Sequence, residues 1–133
     1  MPHFIAEYTD NIEQAADLPG LFSKVHDYLG ATGVFPLGGI RSRGVRLDTW
    51  RMADGKHDYA FVHMRLQVGA GRDLATRREV AEGLFDIIKA HFATLQAQRL
   101  LAQGQVLLDF TLHMAGLDQT VNAGTDRFGP LPP

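Results

Sequence analysis

The spacing of hydrophobic residues constrains the fold of this chain more than any other feature. It alternates between period two, typical of a strand, and spacings of three and four, typical of a helix. The predicted order is strand, helix, strand, twice over, with elements near residues 3–8, 18–29, 40–50, 60–68, 80–95 and 106–114. Asp17 is placed to cap the first helix, and Pro19 is tolerated in its first turn.

Two consecutive strand–helix–strand units predict an α+β fold. Parallel strands need a crossover connection, and such crossovers are right-handed. Two units side by side give a four-stranded sheet with both helices on one face. We expect residues 1–116 to form this single domain. Residues 117–133 are rich in Gly, Asn and Pro, and we expect an extended or loose C-terminal tail there.

The two faces of the predicted sheet differ in polarity. One face carries apolar residues that the helices are expected to bury, among them Val62, Met64, Leu108 and Phe110. The opposite face carries a mixture of polar and aromatic residues: Phe61, His63, Arg65, Thr111 and His113. A half-polar face can meet water or other subunits, so the pattern is compatible with an oligomer. Gly44, in the middle of a strand, predicts a bulge or a close backbone approach.

Composition excludes several classes of function. The 133 residues carry a net charge of −2, which gives no sign of a nucleic-acid-binding surface. The absence of cysteine excludes disulfides, a thiol nucleophile and a thiolate metal site. The six histidines lack metal-site spacing, so no metal is expected. No apolar run is long enough for a membrane span, and the first residues do not resemble a signal peptide, so a cytoplasmic location is expected.

Pro2 is the first candidate for chemistry. Initiator methionine is commonly removed before a small residue, and its removal from this chain would leave proline with a free secondary amine. An α-amino group titrates near ~8, and nearby cations or burial lower its pKa, so it can serve as a general base near neutral pH. While Met1 is attached, the Pro2 nitrogen is an amide without useful basicity.

Arginines near strand ends and loops are the second candidate, because guanidinium groups bind carboxylates bidentately. Arg41 and Arg43 lie at the start of the second predicted strand. Arg72 is better placed, since it follows Gly69-Ala70-Gly71 and precedes a helix N-terminus, an arrangement that favours a small anion. The alternative for any single arginine is a solvated surface charge or a weak salt bridge.

Many short motifs in this chain, taken together and in order, resemble the 5-carboxymethyl-2-hydroxymuconate isomerase family of the tautomerase superfamily. The resemblance covers roughly residues 2–101, and little after Gly104 contributes to it. The motifs that carry it lie at residues 2–5, 10–12, 17–22, 31–37, 39–43, 48–55, 57–64 and 69–72.

The resemblance implies a trimer and a cofactor-free proton shift in homoprotocatechuate catabolism. The implied substrate is an unsaturated 2-hydroxy acid with three carboxylates, and the product is its 2-oxo isomer. Pro2 matches the family's amino-terminal base, and Arg41 and Arg72 match arginines that hold carboxylates or polarise the 2-oxo group. Arg43 is a weaker candidate for substrate binding, and Phe35 is expected to supply an apolar wall.

Two other functions stay open. Another tautomerase-superfamily reaction on an oxo acid, such as dehalogenation or decarboxylation, would use the same proline amine in its protonated form. A non-catalytic trimeric binder of small acids would retain Met1. The state of the Pro2 nitrogen, free or blocked, separates this binder from the enzymes.

Overall fold

The computed structural model describes residues 2–69, 71–103, 108–115 and 120–126, with side chains described up to residue 98. Within these residues, five strands and three α-helices form the domain. In chain order they are β1 (His3–Thr9), α1 (Glu13–Ala16), α2 (Leu18–Ala31), β2 (Arg41–Leu47), β3 (Ala60–Gln67), α3 (Leu74–Gln103), β4 (Leu108–Ala115) and β5 (Thr120–Asp126). Single 3-10 turns precede α1 and β2.

The strands form one mixed sheet in the order β2-β1-β3-β4-β5. Two parallel pairs, β1 with β2 and β3 with β4, are each joined through a helix, α2 in the first unit and α3 in the second. The units meet where β1 and β3 pair antiparallel, with His3 opposite Gln67 and Tyr8 opposite Val62. The predicted α+β fold with two strand–helix–strand units is therefore confirmed.

The sheet has five strands, not the expected four. β5 lies within the segment predicted as a tail and pairs antiparallel with β4, with a register shift at Leu112/His113. Its sequence, from Thr120 to Asp126, consists mostly of polar and small residues, so the hydrophobic alternation that marks the other strands is weak there. The proposed domain limit at residue 116 stays a prediction.

The two long helices, α2 and α3, pack on one face of the sheet and form the core with it. The buried residues of this face include Phe4, Ala6, Tyr8, Val62, Met64 and Leu66, and the helices contribute Leu21, Val25, Leu29, Val80, Leu84, Ile88 and Phe92. The expected burial of Leu108 and Phe110, and the expected exposure of Thr111 and His113, concern side chains outside the described ones. Phe61, His63 and Arg65 lie on the opposite face, as predicted, and each of them is half-buried.

Two predicted features of the first long helix, α2, are confirmed. Asp17 caps α2, because its side chain accepts a hydrogen bond of 3.2 Å from the Gly20 amide, and a proline occupies the first turn. His91 lies at the edge of the α3 stripe, where its Nε2 donates to the Ala16 carbonyl at 2.7 Å. Among the described residues, no helix combines the length and the apolarity needed to cross a bilayer.

Gly44 marks a close approach between β2 and the elements beneath it. A Cβ added there would lie 2.9 Å from Cδ1 of Leu18 and 3.3 Å from Cε1 of Tyr8. The register between β1 and β2 runs without a shift through the pair of Gly44 with Ala6, so the residue does not form a bulge with β1. Of the two explanations that the sequence allowed, close packing is the correct one.

Replacing Gly44 by leucine is expected to lower stability by about 1–3 kcal/mol, the usual cost of overpacking a filled site. Urea unfolding followed by circular dichroism measures the change as a lower midpoint at unchanged slope. Gly38→Leu is the control, since a Cβ there meets nothing within 4 Å. Equal losses in the two variants would show that the space above Gly44 is not the cause.

Candidate active site

Pro2 lies at one end of the sheet, where β1 and β2 begin and β3 ends. It is buried, and its carbonyl accepts a hydrogen bond of 2.9 Å from the Arg41 amide. Since His3 pairs with Gln67, the end of β3 flanks Pro2 on its other side. The backbone around Pro2 is therefore held by strands on both sides, so its nitrogen has a defined position.

The loop between β3 and α3 delivers Arg72 to the same end. Gly71 has a φ of +110°, a conformation that residues with a side chain rarely adopt. Asp73 then caps α3, because its carboxylate accepts a hydrogen bond of 2.7 Å from the Thr76 amide. Hydrogen bonds from Thr76 lower the pKa of Asp73, so the cap is charged at neutral pH. A glycine turn and a helix cap thus bracket Arg72.

The Arg72 guanidinium joins this loop to the one that follows α2. It donates to the Gly69 carbonyl at 3.4 Å and to the Val34 carbonyl at 3.5 Å, both long contacts for an N–H···O hydrogen bond. Its central carbon lies 4.7 Å from the centroid of the Phe35 ring. The Phe35 side chain is only 2% exposed. Phe35 is thus buried within this chain, and its ring contacts Arg72 at this end of the sheet.

Arg41 and Arg43 are exposed and lie on β2. Nη1 of Arg41 donates to the Gly38 carbonyl at 2.8 Å, which folds the guanidinium back towards the start of the strand. Nη1 of Arg43 lies 3.1 Å from Nδ1 of His3. A guanidinium only donates, so His3 accepts through Nδ1 and carries its proton on Nε2. Arg41 therefore reaches the Pro2 end of the sheet, while Arg43 contacts β1.

The sequence patterns do not point to two residues near this end. The first is His3, because its contact with Arg43 depends on the register between β1 and β2. Arg77 is 2% exposed, which makes it a buried cation in the first turns of α3. Its spacing of three and four residues from Val80 and Ala81 was the available signal, since those residues share the buried stripe of that helix.

Other polar clusters lie away from Pro2. Asp54 accepts a hydrogen bond of 2.7 Å from the Tyr59 hydroxyl in the loop between β2 and β3, at the opposite end of the sheet. Burial and this hydrogen bond raise the pKa of Tyr59 to about 12. Within the described parts of the chain, no three histidine, aspartate or glutamate side chains come together in a way that could hold a metal ion.

The end of the sheet around Pro2 therefore combines a buried amino-terminal residue with positive charge. Arg72 is half-buried and Arg41 is exposed, and neither belongs to an ion pair among the described side chains. Guanidinium groups with free donors bind carboxylates and stabilise negative charge that develops on an oxygen. Such an end can hold an organic acid beside Pro2.

Comparison with known proteins identifies the family of this chain. The family model described as 5-carboxymethyl-2-hydroxymuconate isomerase matches residues 2–123, beyond the part of the chain that the motifs cover. A curated Escherichia coli protein, 5-carboxymethyl-2-hydroxymuconate Delta-isomerase, is 63% identical over 102 residues, which cover 77% of this chain and 81% of the relative. The part of this chain that the family model matches includes Pro2, Arg41 and Arg72.

Solved structures support the same assignment. The crystal structure of a 5-carboxymethyl-2-hydroxymuconate isomerase from Deinococcus radiodurans R1 has a TM-score of 0.75 at 36% identity, covering 87% of this chain and 82% of that one. A fused 4-OT symmetric trimer has a TM-score of 0.53 at 14% identity, covering 91% and 95%, which shows a shared fold alone. The family model and the relatives together show that this chain belongs to the 5-carboxymethyl-2-hydroxymuconate isomerase family, within the tautomerase superfamily.

Proposed function

We propose that this chain is the isomerase that converts 5-carboxymethyl-2-hydroxymuconate into its 2-oxo isomer, with Pro2 as the general base. The observation that carries the proposal is the position of Pro2, buried at the end of the sheet where the Arg41 backbone and the Arg72 loop also lie. The Escherichia coli relative, 63% identical, is named for this reaction. The proposal requires that Met1 be removed, because only then is the Pro2 nitrogen an amine.

The proposed reaction moves one proton within the substrate. The neutral Pro2 amine takes the proton from the 2-hydroxyl group, and negative charge spreads over the dienolate that forms. The protonated amine then returns a proton to a carbon of the conjugated system, which yields the 2-oxo product and restores the neutral base. No electrons are gained or lost overall, so neither an oxidant nor a reductant is needed.

The arginines have two roles in this scheme. Arg72 and Arg41 hold carboxylates or stabilise the charge on the dienolate oxygen, which is most effective in a site that contains little water. Arg43 is a weaker candidate for substrate binding because His3 occupies part of its guanidinium. Positive charge close to the Pro2 amine also lowers the pKa of that amine, since a second cation is disfavoured there. A lower pKa keeps Pro2 neutral and ready to accept a proton.

Phe35 supplies an apolar surface behind Arg72. Its ring belongs to the hydrophobic core and lies under the guanidinium, with 2% of the residue exposed. An apolar floor excludes water from one side of the charge, and charges interact more strongly where water is excluded. We therefore assign Phe35 to the site as part of its dry lining.

We also propose that the protein is a homotrimer. Both main helices cover one face of the sheet, and the other face carries half-buried groups such as Phe61, Arg65 and the pair of His63 with Glu7 at 3.2 Å. This mixed polar and apolar surface is suited to contact with further subunits. Native mass spectrometry is expected to give three times the chain mass of 14.7 kDa, and a species of one chain mass would contradict the assembly.

An ultraviolet assay with a synthetic 2-hydroxymuconate-type dienol tests the function directly. We expect the protein to accelerate ketonisation, seen as a loss of the dienol absorbance, relative to buffer alone. Mass spectrometry of the purified chain establishes in parallel whether Met1 is absent. Binding of the acid without acceleration, by a chain that retains Met1, would instead identify a non-catalytic binder.

A role in homoprotocatechuate breakdown and a cytoplasmic location follow from this function as further proposals. The first depends on the substrate, which the dienol assay identifies only by class. Competing the assay with other unsaturated oxo acids separates the proposed isomerase from related reactions such as dehalogenation or decarboxylation. Release of halide or carbon dioxide at a rate above ketonisation would favour one of those reactions.

A further inference from the structure

The Arg72 guanidinium lies over the face of the Phe35 ring. The central carbon of Arg72 is 4.7 Å from the ring centroid, well inside the distance of about 6 Å over which a cation is attracted to an aromatic face. Phe35 is 2% exposed, so its ring is fixed by the surrounding chain and offers little surface to a dissolved ligand. The ring is therefore better placed to act on Arg72 than on a substrate.

The other contacts of Arg72 are weaker restraints on its orientation. The two carbonyl contacts, with Gly69 and Val34, are 3.4 and 3.5 Å long, against about 2.9–3.0 Å for an ordinary N–H···O hydrogen bond. No carboxylate pairs with Arg72 in the part of the chain whose side chains are described. Arg46 is held differently, by Glu13 at 2.9 Å and Asp48 at 3.1 Å.

This difference has a chemical consequence. A carboxylate that orients an arginine also neutralises its charge and occupies its in-plane donors. An aromatic ring carries no net charge, so it attracts the guanidinium without neutralising it. The guanidinium has five N–H groups in its plane, and the carbonyl contacts account for one on each terminal nitrogen. The remaining donors suit a carboxylate bound in the plane.

We infer that Phe35 is a positioning residue, which holds the Arg72 guanidinium in place without neutralising it so that the guanidinium binds a substrate carboxylate bidentately. This rests on the proposed function only in taking the bound anion to be an organic acid. Phe35 then affects the affinity for the carboxylate only through Arg72. Perturbing the electrons of the ring, without changing its size, is therefore expected to weaken binding of the carboxylate.

Calorimetric binding of an inert, saturated tricarboxylate tests the inference without requiring turnover. Phe35→Leu removes the ring, and pentafluorophenylalanine at position 35 keeps its shape while reversing the electrostatics of its face. We expect both changes to raise the Kd of the tricarboxylate about 3- to 10-fold. In a protein that already carries Arg72→Ala, neither change is expected to alter the Kd further. The fluorinated variant keeps the test decisive if the leucine variant fails to fold.

Phe22→Leu is the matched control. Phe22 contacts Phe4 in a T-shaped pair at 6.0 Å, with no cation involved, so its loss should leave the Kd unchanged. An unchanged Kd in both Phe35 variants, an equal rise with Phe22→Leu, or an equal rise in the Arg72→Ala background would overturn the inference. So would a wild-type protein that does not bind the tricarboxylate. Coupling between Phe35 and Arg72 in a protein without isomerase activity would contradict the proposed function alone.

Discussion

Blocking the Pro2 nitrogen is expected to lower kcat/KM for the dienol about 10²- to 10⁴-fold, the usual contribution of a positioned general base. A large residue inserted between Met1 and Pro2 disfavours removal of the methionine and leaves the proline nitrogen as an amide. An amide has no basic lone pair, so the proton of the 2-hydroxyl group has no acceptor. The arginines stay in place, and the Kd for an inert acid should therefore change far less than the rate.

Pro2→Ala is expected to have a smaller effect in the same direction, about 10-fold or more in rate, with normal folding. It keeps a free amine but loses the pyrrolidine ring, which prevents rotation about the N–Cα bond and so fixes the direction of the nitrogen lone pair. Initial rates of ketonisation measure both changes, and mass spectrometry verifies the N-terminus of each variant. Pro19→Ala, in the first turn of α2, is the matched control. Unchanged turnover with the blocked Pro2 nitrogen would rule out the amine as the base, and unchanged turnover in Pro2→Ala would show that the proline ring is not needed.

The local part of the fold could be predicted because it depends on local patterns. Alternation from Ala60 to Val68 and the stripe from Leu18 to Leu29 mark elements that bury one face, and the structure has both. β5 could not be predicted in this way, since its residues between Thr120 and Asp126 give little hydrophobic contrast. Its pairing depends on the exposed edge of β4, which a period in the sequence does not reveal.

The residues proposed for the site come from sequence motifs, whereas the contacts between them do not follow from the sequence. Gly-Ala-Gly before Arg72 indicates a backbone that turns sharply, and Gly71 does adopt a positive φ. The contact of Arg72 with Phe35 joins two loops that are 37 positions apart, so no local pattern encodes it. The same holds for His3 and Arg43, whose meeting depends on which residues of β1 and β2 stand side by side.

Replacing Arg72 by alanine is expected to raise KM for a tricarboxylate substrate and to lower kcat/KM about 10²- to 10³-fold. The variant lacks the half-buried guanidinium and its positive charge. In the wild type, no described carboxylate competes with the substrate for that guanidinium. If the contact is equally strong in the ground and transition states, the change falls chiefly on KM. A loss in kcat as well would show that Arg72 also stabilises the charge on the dienolate oxygen.

A comparison of substrates separates charge recognition by Arg72 from a general disturbance of the site. The loss should be larger for a tricarboxylate than for a monocarboxylate dienol, because the second lacks the carboxylate that Arg72 holds. Arg46→Ala is the control, since Arg46 is an exposed arginine in surface ion pairs with Glu13 and Asp48, whose loss costs little. Equal losses on the two substrates would contradict the binding role, because removing a carboxylate contact cannot penalise a substrate that never made it.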